Sequence, residues 1–133
     1  MIKALNHVGI AVKDLDESVA LYERLLGVKP QSIEEVPHLK IKVAFFEVGG
    51  VHFELLQATA PDIDISRYIE SHGQGVHHLC FEVDDINAEL AAMPGRGIEV
   101  LDEKGKTGFL GQIGFLNPKS TNDVLIELVE PKK

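Results

Sequence analysis

The stretch Leu5–Asp16, LNHVGIAVKDLD, returns at Val76–Asn87 as VHHLCFEVDDIN. Laid on one another, His7 meets His78, Val12 meets Val83, Asp14 meets Asp85 and Leu15 meets Ile86, an offset of 78 minus 7, or 71 residues. Each copy reads as a strand that runs through an acidic turn into a helix. A second echo lies downstream. HFELL (His52–Leu56) returns as LIELV (Leu125–Val129), which places Glu54 on Glu127 at an offset of 127 minus 54, or 73. Each half therefore brings one imidazole and one carboxylate at nearly the same spacing. Two such repeats can assemble a four-ligand metal site at the interface between them.

Outward from these stretches the elements follow. His7–Val12 is β-branched and suits a strand. Asp14 or Asp16 caps the next helix, with Asp16 and Glu17 in its first turn. Leu15, Val19, Tyr22, Leu25 and Leu26 form one apolar face, so the spacing predicts a helix over Leu15–Leu26, ended by Gly27. Val28–Val36 reads as a weak strand broken by Pro30. Ile41–Val48 and Val51–Gln57 flank Gly49-Gly50 and read as a hairpin. Ile65–Ser71 reads as a short helix in the linker. The second half reads as strand Val76–Val83, helix Asp85–Met93, short strand Ile98–Leu101, strand Gln112–Leu116 and strand Val124–Glu130. The expected architecture is α+β, one domain of two βαβββ modules, about 1–60 and 73–133, forming a curved, incompletely closed sheet around a metal cup.

Length and composition bound the function. A chain of 133 residues is one domain by its length and can bury a substantial core. Net charge of −8 argues against nucleic acid, whose phosphates need a basic face. It leaves room for an anionic small substrate, because a bound cation can dominate the local field. One cysteine, Cys80, excludes an internal disulfide and fits a reducing compartment. No apolar run approaches the roughly 20 residues of a membrane span. The opening MIKALNHVGIAV runs straight into the first strand, so a cytoplasmic protein with no membrane association is expected.

His7, Glu54, His78 and Glu127 are the leading candidates for chemistry. Taken singly, a strand His or Glu is more often a satisfied or solvent-facing side chain. The duplication is what favours a metal site. Two imidazoles and two carboxylates suit Co²⁺, Mn²⁺, Ni²⁺ or Zn²⁺ and leave room for substrate oxygens or waters. Glu127 lies between apolar neighbours in a central strand, where an ionised carboxylate is costly unless paired or ligating. His77 must point away from His78 and reads as a second-layer or surface residue. Lys42 shares a strand face with Ala44 and Phe46 and could reach into a cup, whereas Glu47 reads as a surface charge. His38, His52 and His72 read as surface positions and Cys80 as core. No phosphate loop, dinucleotide-binding glycine signature or nucleophile elbow is present.

The repeated βαβββ pattern and its paired His and Glu resemble the vicinal-oxygen-chelate superfamily, which includes glyoxalase I and the extradiol dioxygenases. Within it, the likeness is strongest to the methylmalonyl-CoA epimerases. LNHVGIAVKDLDESVALYERLLG, FFEVGGVHFELL, RYIESHGQGVHHLCFEVDDI and IGFLNPKSTNDVLIELVEP carry it and cover most of the chain. The resemblance implies a divalent metal, Co²⁺ first, held by His7, Glu54, His78 and Glu127, with a CoA thioester as substrate and a homodimer as the assembly. It implies epimerisation by removal and return of the C2 proton through an enolate, with Glu127 as both ligand and base. The family's second acid/base is a Glu on the strand matching Ile41–Val48; ungapped alignment puts Lys42 near that place, leaving Lys42, Glu47 or a water for the role. Two other readings stand beside this one: a glyoxalase I-type isomerase on the same donors, and a metal-free small-molecule binding or sequestering protein.

Overall fold

The computed structural model describes all residues, 1–133. In chain order the elements are β1 (Ile2–Ala11), α1 (Leu15–Leu26), β2 (Ser32–Val36), β3 (Ile41–Val48), β4 (Val51–Ala58), α2 (Asp64–His72), β5 (Gly75–Val83), α3 (Ile86–Ala92), β6 (Lys106–Thr107), β7 (Gly111–Phe115) and β8 (Ile126–Pro131). Short 3-10 turns lie at Pro37–Leu39, Pro94–Arg96 and Pro118–Ser120. The class is α+β, as the repeat predicts. The chain divides into two units, His7–His77 and Met1–Asn6 together with His78–Lys133.

In the His7–His77 unit the strand order is β2-β3-β4-β1. The hairpin forms because Gly49 and Gly50 both take positive φ, 59° and 83°, the twist that a two-residue turn needs to match its strands. β1 then runs parallel to β4, with His7 opposite His52 and Gly9 opposite Glu54. A parallel pair needs a crossover, and α1 begins it. Asp14 accepts a hydrogen bond from the Glu17 N–H at 3.1 Å and starts the helix. Gly27, at φ 73°, stops it by donating its N–H to the Glu23 carbonyl. The apolar face of α1 packs on one side of the sheet, where Val12, Leu15, Ala44, Phe46 and Leu55 are buried together with Phe53 and Tyr22 against them.

The other unit repeats the plan with strand order β5-β8-β7-β6. β5 and β8 are parallel, with Cys80 opposite Glu127. Asp85 caps α3 by accepting from the Ala88 N–H at 3.1 Å, as Asp14 caps α1. Val83, Ile86, Leu90, Met93, Leu116 and Leu128 form its core. These positions repeat those of the first core. Val12, Leu15, Val19 and Tyr22 become Val83, Ile86, Leu90 and Met93 at the 71-residue offset, and Leu55 becomes Leu128 at 73. Each such buried side chain contributes about 1.5–3 kcal/mol, so both halves are held by the same apolar positions.

Three local expectations are corrected. β1 starts at Ile2, five residues before His7, and β2 starts at Ser32, not Val28. Ile98–Leu101 is not a strand. Its only ladder contact is one bridge, Val100 to Leu116, because Ile98 donates its N–H back to Met93 and the chain bends there. The remaining strand of the second module is β6, which pairs antiparallel with β7.

Candidate metal and active site

The sheet has two faces in each unit, and the helix-covered face decides where the other points. On β4, Phe53 and Leu55 pack under α1. His52, Glu54 and Leu56 therefore project to the opposite face, by the two-residue alternation of a strand. Parallel pairing with β1 brings His7 to that same face beside Glu54. His7 Nδ1 lies 3.0 Å from Glu54 Oε2, and both side chains are buried.

The other unit does the same with its own residues. On β8, Ile126 and Leu128 pack in the α3 core, so Glu127 and Val129 face away from it. On β5, Phe81 and Val83 pack in that core, so His78 and Cys80 face away too. His78 Nε2 lies 3.2 Å from Glu127 Oε1, again with both buried. The predicted partners are thus brought together within each module, and the two modules do it by equivalent residues.

Burial makes these pairs chemically informative. A buried carboxylate needs a compensating cation or strong donors. Glu89, also buried, has Arg96 at 3.3 Å. Glu54 and Glu127 each face an imidazole instead. Imidazole nitrogen with carboxylate oxygen is the donor chemistry that first-row divalent ions take up, and neutralisation by a cation would suit carboxylates held out of water. His7 with Glu54, and His78 with Glu127, are therefore the residues that could hold a metal.

The remaining candidates separate cleanly. Lys42 lies opposite Gln57, on the strand face that carries Ala44 and Phe46 beneath α1, and its side chain is exposed. That placement corrects the expectation that it reaches the Glu54 face. Val43, Phe45 and Glu47 occupy that face of β3, opposite Leu56, Glu54 and His52. Glu47 pairs with His52 at 3.2 Å beside the Gly49-Gly50 turn of the hairpin. His77 packs edge-on against the Tyr68 ring, with centroids 5.2 Å apart, which fits its second-layer reading. His38 and His72 are exposed, and Cys80 is buried in β5. No helix is long and apolar enough to cross a membrane.

Residues 6–116 match the family described as the glyoxalase/bleomycin resistance protein/dioxygenase superfamily. The chain belongs to that superfamily. Among its relatives, the glyoxalase-superfamily chain is 36% identical over 126 residues to the mitochondrial methylmalonyl-CoA epimerase of Homo sapiens, covering 93% of this chain and 72% of that protein. It is 35% identical over 131 residues to the ethylmalonyl-CoA/methylmalonyl-CoA epimerase of Cereibacter sphaeroides, covering 96% and 98%. Among solved structures, a variant of Streptomyces coelicolor methylmalonyl-CoA epimerase in complex with 2-nitronate-propionyl-CoA superposes with a TM-score of 0.90 at 30% identity, covering 98% of this chain and 96% of that one.

Proposed function

We propose that this protein is a methylmalonyl-CoA epimerase, interconverting the 2R and 2S epimers at the carbon between a thioester and a carboxylate. The observation that carries the reading is the duplicated, buried His–Glu pair, at 3.0 Å in one module and 3.2 Å in the other, in a chain whose relatives include named epimerases. In this reading His7, Glu54, His78 and Glu127 together hold one divalent cation, Co²⁺ first, with Mn²⁺, Ni²⁺ and Zn²⁺ as alternatives. The cation, when bound, would stabilise the negative charge that develops on the thioester oxygen.

The chain's own groups then move the proton. A carboxylate oxygen of Glu127 takes the C2 proton, and the C–H electron pair passes into the thioester as an enolate. A second group returns a proton to the opposite face of C2 and restores the thioester. No electron leaves the substrate and no redox partner is needed. Lys42, Glu47 and a water are the sequence candidates for the second group. We assign the role to Glu47, because Glu47 shares the face of Glu54 and Lys42 does not. We also read the protein as a cytoplasmic homodimer, an assembly carried over from the resemblance and a compartment consistent with its single, buried cysteine.

The test is turnover of one methylmalonyl-CoA epimer in deuterated water, followed by proton NMR. Epimerisation with deuterium entering C2, stopped by a chelator and restored by Co²⁺, is expected. Epimerisation with the C2 proton wholly retained, or none at all in the metal-loaded protein, would overturn the proposal.

A further inference from the structure

One further feature is duplicated, and the metal reading does not use it. Three residues beyond Glu54 on β4, Gln57 Oε1 accepts the backbone N–H of Leu15 at 2.7 Å. Three residues beyond Glu127 on β8, Glu130 Oε1 accepts the backbone N–H of Ile86 at 2.9 Å. Leu15 is eight residues past His7, and Ile86 is eight residues past His78. The same bond therefore recurs between the same positions of both modules, spanning 42 and 44 residues of chain.

The chemistry of these bonds is specific. The first N–H groups of a helix have no partner within the helix. Asp14 and Asp85, the local caps, take the N–H groups of Glu17 and Ala88. The helix-opening N–H of Leu15 or Ile86 goes to a side chain on the strand that carries the module's carboxylate. Each bond ties the start of the helix that follows the His-bearing strand to the Glu-bearing strand, beyond the last rung of the parallel ladder. Sliding β1 along β4, or β5 along β8, would break it. A slide of that kind is also what would change the His–Glu distance.

We propose that Gln57 and Glu130 are positioning residues, each fixing the slide of its own module's two parallel strands and so the His–Glu separation that the metal reading requires. The proposal rests on that reading for its consequence, cation affinity, but not for its geometry. It predicts that the effect is confined to one module. It also predicts that an amide and a carboxylate are interchangeable here, since one module uses each.

The experiment uses the metal-free full chain and follows the imidazole C–H signals of His7 and His78 by NMR, with Co²⁺ titration alongside. Gln57→Ala is expected to move the His7 signal and leave His78 in place; Glu130→Ala is expected to do the reverse. Both should lower Co²⁺ affinity by about tenfold or more, the usual cost of losing a group that orients a ligand. Glu130→Gln and Gln57→Glu should keep both signals at their wild-type positions. The proposal is overturned if each Ala variant leaves its own histidine unmoved, or if either one moves both histidines alike. It is also overturned if a folded Glu130→Gln variant shifts His78, so loss of folding in an Ala variant does not rescue it. A wild-type protein that takes up no Co²⁺ would sink the metal reading, and the imidazole signals would still decide whether these side chains position their strands.

Discussion

Removing the imidazole of His78 perturbs the proposed site and leaves a measurable heat signature. His78 is 7% exposed and sits 3.2 Å from a carboxylate that is 8% exposed. Truncation to alanine leaves Glu127 buried without that imidazole, and removing a buried polar partner in this way costs about 1–3 kcal/mol. The melting temperature of the metal-free variant should therefore fall. That fall alone would not separate a ligand from a structural histidine. The separating quantity is the change in melting temperature on adding Co²⁺, measured within each variant so that the folding cost cancels. A cation at about 100 times its dissociation constant stabilises the native state by about 2.7 kcal/mol. For 133 residues, unfolding entropy of about 2.1 cal/mol/K per residue gives about 0.28 kcal/mol/K. The wild type should then melt about 10 °C higher with Co²⁺, since 2.7 divided by 0.28 is about 10. In His78→Ala the shift at the same Co²⁺ concentration should shrink to about 2 °C or less. Differential scanning fluorimetry with and without a chelator reads both numbers. A His78→Ala protein that keeps the full metal-dependent shift would refute the reasoning, because the imidazole would then contribute nothing to holding the cation.

Other outcomes follow from the same structure. Glu127→Gln, assayed with saturating Co²⁺, should lose at least about 100-fold in turnover, the ordinary worth of a positioned base; deuterium uptake at C2 reads it, and wild-type uptake would exclude Glu127 as the base. Lys42→Ala should stay within about threefold of wild type while Glu47→Gln loses at least about tenfold in kcat, and the reverse ranking would return the second proton transfer to the helix side of the sheet. Asp62 is exposed, and its carboxyl is held below the ordinary value of 3.8 by a backbone hydrogen bond first and by Lys40 second. A depressed carboxyl lends stability above its unfolded value and loses it as pH falls through the folded one. Asp62→Asn should therefore lower the melting temperature slightly at pH values above 3.8 and leave it unchanged in stronger acid; an equal loss at both would show that charge is not involved.

The parts of this fold that were legible are those written locally. α1 runs from Leu15 to Leu26 because Asp14, the apolar face and Gly27 all agree. The hairpin was legible for the same reason, in Gly49-Gly50 between two alternating strands. The pairing of His7 with Glu54, and of His78 with Glu127, could be anticipated because duplication wrote each pair twice. Elements held by tertiary pairing were not legible. Ile2–Leu5 is largely exposed and carries no alternating apolar signal. β6 is two exposed polar residues, Lys106 and Thr107, made a strand only by the partner they meet in β7. Ile98–Leu101 is apolar enough to look like a strand, but Ile98 bonds back to Met93 and only one bridge, Val100 to Leu116, forms. The face that Lys42 occupies is hidden from the sequence for a related reason. Its alternation with Ala44 and Phe46 is plain in the sequence, yet only the packing of α1 shows which face that is. Gln57 and Glu130 also carry a signal in the sequence. They match at the same 73-residue offset as Glu54 and Glu127, three residues further along.

The most direct measurement is metal stoichiometry by native mass spectrometry of protein reconstituted with Co²⁺, for wild type, His7→Ala and His78→Ala. One cation per chain in the wild type, lost when the histidine of either half is removed, is the predicted result. Two cations per chain, or a cation that survives removal of one half's histidine, would mean that each pair acts alone, and the shared site proposed here would not exist.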